Sequence, residues 1–133
     1  DEVRVGIGER GMSDGAGSGS GALTERTGGE VLAREDAWAV VSNCGREADE
    51  TARAKGIALD FDEPVAYVLD FGARMPNARP SMLLDHREGR ASEIDAINGA
   101  IPPVAKEFDI KTPFNETVSA LVRAKETRLG LRP

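Results

Sequence analysis

Apolar residues recur every three or four positions from about residue 35 onward, which is the spacing of one face of an α-helix. The clearest stripe consists of Ile94, Ile97, Ile101, Val104 and Phe108. Ser92 precedes this stripe and is a good N-cap residue, so a helix is predicted to begin there. Pro102 and Pro103 lie inside the stripe, and their rings and missing N–H groups predict a kink or a break.

Four other helical segments follow from the same spacing. The first is predicted from Glu35 to Gly56, because glycine is a common residue just past a helix end. Its predicted core face contains Trp38, Val41, Ala48 and Ala52, with Cys44 between them. The second covers residues 65–74 and the third residues 80–89. The last begins at Thr112 and Pro113 as N-cap and first residue, and its predicted core face is Val118, Leu121, Val122 and Leu129.

The first 34 residues differ from the rest. Residues 3–7 alternate between apolar and polar side chains like a short β-strand. Residues 10–29 are rich in glycine and serine and carry too little apolar surface to offset the entropy of ordering, which predicts a flexible linker. The prediction is an all-α bundle of about five helices over residues 35–133, preceded over residues 1–34 by a strand and a linker.

Composition narrows the function classes. A formal net charge of −6 argues against nucleic acid as a partner, because phosphate binding needs a basic surface. Cys44 is the single cysteine, so an internal disulfide and a cysteine-built zinc site are excluded. No apolar run is long enough to span a membrane, and no signal peptide is visible, so a cytoplasmic location is expected. The first residue is Asp1 rather than Met, which suggests a fragment or a processed chain.

Two motifs point weakly to chemistry. Residues 6–11 read GxGxxG, but a Gly/Ser-rich stretch follows where a dinucleotide fold requires a helix, so a strand end and a loop are favoured. His86 is the only histidine and lies beside Asp85, five residues after Ser81. Adjacent helix residues do not face each other, so a solvated surface histidine is favoured over a catalytic triad. The nearby acidic residues lack the spacing of a calcium loop, and no metal site is predicted.

A longer constellation is more specific. Ser-Met with Asp three residues later begins at Ser81, Gly-Arg at Gly89, and Ser-Glu-Ile-Asp-Ala-Ile-Asn-Gly at Ser92. Thr-Pro-Phe-Asn follows at Thr112, with Glu126 in the closing helix. In this order and at these separations, residues 35–128 resemble the C-terminal domain of the ketopantoate reductase (2-dehydropantoate 2-reductase) family.

The resemblance implies the helical fold of a 6-phosphogluconate-dehydrogenase-like C-terminal domain. It also implies a parent enzyme that transfers a hydride from NADPH to ketopantoate, giving pantoate for pantothenate biosynthesis. By the resemblance, Ser81 and Asn98 contact the 2-keto acid substrate. Glu93 is by the same resemblance a catalytic and cofactor-contacting carboxylate that lines the cleft near substrate and cofactor. From the residues alone, plain helix capping by Ser81 and Glu93 remains the competing interpretation.

The sequence also departs from the family. The family's proton donor is a lysine on the first helix of this domain, whereas the first lysine here is Lys55. Residues 3–9 resemble the last strand of a Rossmann domain, whose remainder is not present. We therefore expect no bound NADP and no reductase activity from this chain alone. A non-catalytic helical module for dimerisation or partner binding is the alternative, and an independent small-molecule-binding domain is a weaker one.

Overall fold

In the computed structural model of the chain, residues 19–57, Glu63 and residues 81–133 are described, and all regular structure in these ranges is helical. The elements are α1 (residues 19–24), α2 (Gly28–Ala33), α3 (Glu35–Ala54), α4 (Ser81–Arg87), the 3-10 helix η1 (Asn98–Ala100), α5 (Ile101–Glu107) and α6 (Pro113–Arg128). The predicted all-α fold is confirmed. The predicted strand over residues 3–7, the GxGxxG glycines and the predicted helix over residues 65–74 lie outside the described residues.

The 20-residue helix α3 is the centre of the bundle and packs against α2, α5 and α6. Its predicted core face is confirmed at Val41, Ala48 and Ala52, which are buried. Gly56 has φ of +81° just past the helix end, and the Ile57 N–H donates to the Ala52 carbonyl at 2.9 Å. This is the hydrogen bond of a Schellman termination, so Gly56 ends the helix as predicted.

The prediction of a flexible linker is wrong for residues 19–33, because α1 and α2 occupy this range and Ala22 and Val31 are buried. A Cβ placed on Gly19 would lie 2.6 Å from Val118 Cγ1, closer than two carbons can approach. Glycine at this position therefore allows α1 to contact α6. In this segment the small residues permit close helix packing, and the division at residue 35 does not correspond to a break in the packing.

Two apolar clusters form the core. The first joins α2, α3 and α5 through Val31, Val41, Ala48, Ala52, Ile101 and Val104. The second joins α1, α3, α4, α6 and the α4–η1 connection through Ala22, Cys44, Met82, Ile94, Ile97, Val118 and Val122. Because α3 contributes to both clusters, it is the element that unites the described parts of the chain.

A helix beginning at Ser92, with a kink or a break at Pro102 and Pro103, was the prediction, and both its beginning and the place of its interruption are wrong. Residues 93–97 form a bend and turns, η1 follows, and α5 begins only at Ile101. Pro102 and Pro103 lie in the first turn of α5, where an N–H has no partner within the helix and proline costs little. The interruption therefore lies before the prolines, and Phe108 at the end of the stripe is exposed.

The last helix begins as predicted, with Thr112 at the N-cap and Pro113 in the first turn. Val118 and Val122 are buried, but Leu121 and Leu129 are 52% and 43% exposed, so half of the predicted core face is wrong. The predicted third helix appears as α4, where Met82 and Leu83 are buried. Within the described ranges, no helix has both the length and the apolar character needed to cross a membrane.

Candidate functional site

The three site residues named from the sequence lie in one stretch, from α4 to η1, with different exposure. Ser81 is the first residue of α4 and is exposed, while the next two residues, Met82 and Leu83, fix this helix to the core. Glu93 is exposed in the bend between α4 and η1. Asn98 begins η1 and is only 1% exposed. Ser81 and Glu93 can therefore meet a ligand from solvent, whereas Asn98 faces the interior.

The backbone around Glu93 is well defined although it is not helical. The Glu93 carbonyl accepts hydrogen bonds from the N–H groups of Ala96 and Ile97, at 3.0 and 3.1 Å. Ile94 is fully buried, so the chain is held immediately after Glu93. Among the described residues, the Glu93 side chain makes no hydrogen bond or ion pair. The expectation that Glu93 occupies the first turn of a helix capped by Ser92 is wrong, yet its carboxylate does project into solvent.

Ser92 donates to Glu126 of α6. The Ser92 N–H lies 2.8 Å from Glu126 Oε2, and the Ser92 hydroxyl donates to the same oxygen at 2.5 Å. His86 Nε2 lies 2.7 Å from that oxygen as well. The predicted solvated surface histidine is therefore wrong: His86 is buried and faces a buried carboxylate. A histidine side chain can be enclosed in this way because its ring nitrogen finds a charged partner.

The Glu126 carboxylate is fully enclosed by its partners. Burial alone raises the pKa of a carboxyl, but the hydrogen bonds from Ser92 and His86 and the charge of Arg132 outweigh it and lower the pKa of Glu126. Arg132 Nε lies 2.9 Å from Glu126 Oε1 as an ion pair without hydrogen-bond geometry. The carboxylate therefore stays ionised at neutral pH and acts purely as an acceptor.

A second anchor lies on the other side of Glu93. Asp95 accepts from Arg123 Nε at 2.7 Å and from Arg132 Nη2 at 3.1 Å. A Cβ on Gly99 would approach Arg123 Nη2 at 2.4 Å, so the glycine leaves space for this guanidinium. The bend that carries Glu93 is thus attached to α6 and to the C-terminal residues.

Asn98 belongs to a buried polar cluster between α1, α3, η1 and α6. Its Nδ2 donates to Asn115 Oδ1 at 2.9 Å, and a Cβ on Gly19 would lie 3.3 Å from its Oδ1. Asn115 Nδ2 in turn donates to Glu47 Oε1 at 2.8 Å. The Glu47 carboxylate also accepts the N–H groups of Phe114 and Asn115, at 3.0 and 2.9 Å. Glu47 therefore supplies the cap of α6, since the Thr112 side chain does not.

The buried carboxylates of Glu47 and Glu126 and the buried ring of His86 were missed by sequence reasoning. A signal existed for Glu126, which continues the buried stripe of Val118 and Val122 at a spacing of four residues. A charge on an apolar stripe indicates a buried partner, but the sequence did not identify His86 or Arg132 as that partner.

The described residues offer no other clear site. No group of three or more His, Cys, Asp or Glu side chains among them is arranged to hold a metal ion. One concave region of about 500 Å³ is lined by residues of α1 to α3, including Arg26 and Arg34, and its lining includes neither Ser81 nor Glu93. Both arginines are paired with carboxylates of Glu30 and Asp36, so this region has no strong net charge.

Comparison with known proteins gives a consistent result. Residues 6–126 match the family model described as ketopantoate reductase PanE/ApbA C terminal. The chain is 35% identical over 112 residues to a 2-dehydropantoate 2-reductase from Streptococcus pyogenes serotype M6, covering 84% of this chain and 36% of that protein. The chain therefore spans about a third of the length of this relative.

Solved structures agree. A PanE/ApbA family ketopantoate reductase from Ralstonia eutropha JMP134 superposes with a TM-score of 0.84 at 28% identity, covering 91% of this chain and 40% of that one. A D-mandelate dehydrogenase, solved with NADH and anilino(oxo)acetate, superposes with a TM-score of 0.81 at 28% identity, covering 92% of this chain and 40% of that one. Together with the helical fold and the family match over most of its length, these likenesses show that the chain belongs to the ketopantoate reductase family and represents its C-terminal helical domain.

Proposed function

We propose that the chain is the substrate-side domain of a 2-dehydropantoate 2-reductase and contributes Ser81, Glu93 and Asn98 to the site. The observation that carries the proposal is the environment of Glu93. Its carboxylate is exposed and has no partner among the described residues, while Ser92 and Asp95 on either side are anchored. An acid held in this way is available to a ligand without losing an internal partner.

The chemistry of ketopantoate suits these side chains. The substrate carries a carboxylate, a ketone beside it and a primary hydroxyl at the far end. The Ser81 hydroxyl can donate a hydrogen bond to the carboxylate of the substrate. The Glu93 carboxylate can accept a hydrogen bond from the primary hydroxyl of the substrate. Asn98 is buried and bonded to Asn115, so its burial supports a role in the floor of the site more than direct contact with substrate.

Reduction of the ketone needs a hydride donor, which a nicotinamide cofactor supplies when bound. Among the described residues, Glu93 is the proposed contact with the cofactor. A single carboxylate cannot form the phosphate site of a dinucleotide, because phosphates need N–H groups or cations. NADP rather than NAD, like a cytoplasmic location, remains part of the proposal.

We further propose that this chain binds the 2-keto acid but does not reduce it by itself. The family's proton donor is a lysine on the first helix of this domain, and residues 1–54 contain no lysine. The helix α1 does exist at residues 19–24, but there it carries glycine, serine, alanine, leucine and threonine. Without a proton for the ketone oxygen, hydride addition at the neighbouring carbon has no route to pantoate.

Isothermal titration with pantoate, the stable product, tests the proposal. We expect a dissociation constant on the order of 1 mM, and about tenfold weaker binding for Ser81→Ala and for Glu93→Gln, which is the effect of one hydrogen bond to a charged group. Glu107→Gln is the matched control, because Glu107 is an exposed glutamate on α5 with no assigned role. Absence of pantoate binding, or equal affinities for Glu93→Gln and Glu107→Gln, would refute the proposal. Consumption of NADPH in the presence of ketopantoate would contradict the proposed inactivity.

One observation favours a second function, a helical module for self-association. Among the residues that the structure describes, four large apolar side chains are at least 42% exposed: Leu84, Phe108, Leu121 and Leu129. Exposed apolar residues of this size contribute to protein interfaces where they lie together in one patch. Sedimentation equilibrium distinguishes the two functions, since a homodimer dissociated by Leu121→Gln, together with no pantoate binding, would favour the module over the substrate domain.

A further inference from the structure

The α4–η1 connection, residues 88–97, carries Glu93 but has no regular secondary structure of its own over most of its length. Such a connection gains its conformation from tertiary contacts and not from a helical hydrogen-bond ladder. The contacts that fix it are therefore as important for the direction of the Glu93 side chain as the residues of the connection itself.

Glu126 binds the residue directly before Glu93. Its Oε2 accepts both the N–H and the hydroxyl of Ser92, the residue directly before Glu93. Hydrogen bonds to an ionised acceptor are roughly twice as strong as neutral ones, and this acceptor is shielded from water. A backbone N–H held by a carboxylate in this way fixes the peptide plane that leads into Glu93.

Glu126 is itself held in place by two other residues. His86 Nε2 approaches Oε2 at 2.7 Å from α4, and Arg132 Nε approaches Oε1 at 2.9 Å from the C-terminal segment. Gly130 has φ of +74°, and the Leu131 N–H donates to the Glu126 carbonyl at 2.9 Å. This turn brings Arg132 back along α6, where it also reaches Asp95.

We propose that Glu126 is a positioning residue for Glu93, because its buried carboxylate, held by His86 and Arg132, fixes the Ser92 backbone from which Glu93 projects. The inference rests on the proposed role of Glu93 in ligand binding. Glu126 is enclosed and does not touch the ligand; it acts through the geometry of the connection. The interaction of Arg123 and Arg132 with Asp95 supports the same arrangement from the other side.

Anchoring of this kind has a direct effect on binding. Ordering a glutamate side chain on a ligand costs conformational entropy, and ordering a mobile backbone adds to this cost. Holding the connection before the ligand arrives removes the backbone part of the cost. The effect should therefore appear as coupling between Glu126 and Glu93 in ligand affinity.

The first experiment measures amide hydrogen exchange at Ser92 in the free chain. In Glu126→Gln, we expect the Ser92 amide to exchange at least tenfold faster than in the wild type, relative to amides in the middle of α3. Glu47→Gln is the matched control, because it alters the other buried carboxylate, which projects from α3 and caps α6, without touching the connection. An unchanged Ser92 rate in Glu126→Gln, or an equal acceleration in Glu47→Gln, would overturn the proposal.

If Glu126→Gln does not fold, Arg132→Gln replaces it. This substitution removes the contacts of Arg132 with Glu126 and Asp95 and leaves the Glu126 carboxylate itself in place. We expect a smaller acceleration at Ser92, roughly threefold. No acceleration at Ser92 would overturn the proposal in this case too.

A double-mutant cycle with pantoate supplies a readout that a merely structural role would not change. We expect Glu126→Gln to weaken pantoate binding about tenfold, and the double variant with Glu93→Gln to bind no more weakly than Glu93→Gln alone. Independent, additive losses would overturn the positioning role while leaving the proposed function intact. If the wild type does not bind pantoate, the proposed function fails, and the Ser92 exchange rates still decide whether Glu126 fixes the connection.

Discussion

The two ends of α6 each face a buried glutamate carboxylate, and the two have different tasks. At the N-terminal end, Glu47 reaches across from α3 and accepts the N–H groups of Phe114 and Asn115. At the C-terminal end, Glu126 projects from α6 itself and accepts from Ser92 in an irregular connection. The first carboxylate joins one helix to another, whereas the second joins a helix to the segment that carries the candidate site.

The two contacts differ in purpose: the buried charge of Glu47 stabilises the fold, whereas that of Glu126 supports the candidate site. The Glu47 carboxylate is bonded to a helix N-terminus, which needs an acceptor and favours a negative charge through the helix dipole. The connection held by Glu126 could have been fixed by apolar packing alone, as Ile94 already is. Hydrogen bonds and an ion pair between Glu126 and its partners His86, Ser92 and Arg132 are more directional than apolar packing, which suits a segment that presents Glu93.

The largest effect that we predict from this comparison is on stability at the Glu47 end. Glu47→Gln replaces one acceptor oxygen with an amide NH₂ group that faces donors of Phe114 or Asn115. We expect the free energy of unfolding to fall by about 2–3 kcal/mol, the cost of leaving a buried donor without an acceptor. Urea denaturation followed by circular dichroism measures it. A loss below about 1 kcal/mol would show that α6 does not depend on Glu47.

Much of the fold followed from periodicity because helices with one apolar face leave a direct trace in the sequence. The face of α3 at Val41, Ala48 and Ala52 and the beginning of α6 at Thr112 were predicted and confirmed. The linker prediction failed because glycine and serine suit both a flexible chain and a closely packed helix, and Gly19 beside Val118 requires the second. Composition alone does not separate these cases.

The candidate site was predicted less completely. The exposure of Ser81 and Glu93 agrees with the expectation that they face a ligand, but their roles stay predictions. His86 and Glu126 lie 40 residues apart, and no local spacing indicates that they meet. A buried pair of this kind depends on how α4 packs against α6, which periodicity does not reveal. The prediction of a solvated surface histidine at His86 is therefore wrong.

The second prediction concerns how the contribution of Glu126 to stability depends on pH. The pKa of Glu126 is lowered below its ordinary value of 4.5, because hydrogen bonds from Ser92 and His86 outweigh the effect of burial. A carboxyl with a depressed folded-state pKa contributes stability above its unfolded pKa, and this contribution is lost as the pH falls through the folded value. The stability difference between wild type and Glu126→Gln should therefore be largest near neutral pH and shrink below about pH 4.5.

Urea denaturation of both proteins between pH 7 and pH 3 measures this difference. Comparing the two proteins cancels the carboxyls that they share, including Asp95, whose pKa is also lowered by Arg123 and Arg132 despite partial burial. A difference that stays constant across the range would mean that Glu126 gains nothing from its ionised form in the folded chain.

The smallest predicted effect concerns Cys44, which reports on the Glu47 end because its carbonyl accepts from Asn115 Nδ2 at 3.1 Å. Burial, with a smaller contribution from the charge of Glu47, raises the pKa of the Cys44 thiol to about 12. Since only the thiolate attacks iodoacetamide, we expect alkylation of the folded chain at pH 8 to be at least a hundredfold slower than in urea. Glu47→Gln should speed this reaction modestly, because it removes the charge and loosens the cluster, whereas Glu126→Gln should leave it unchanged. Equal acceleration by both substitutions would mean that the two ends of α6 open together, and the distinction between a carboxylate for the fold and one for the site would not hold.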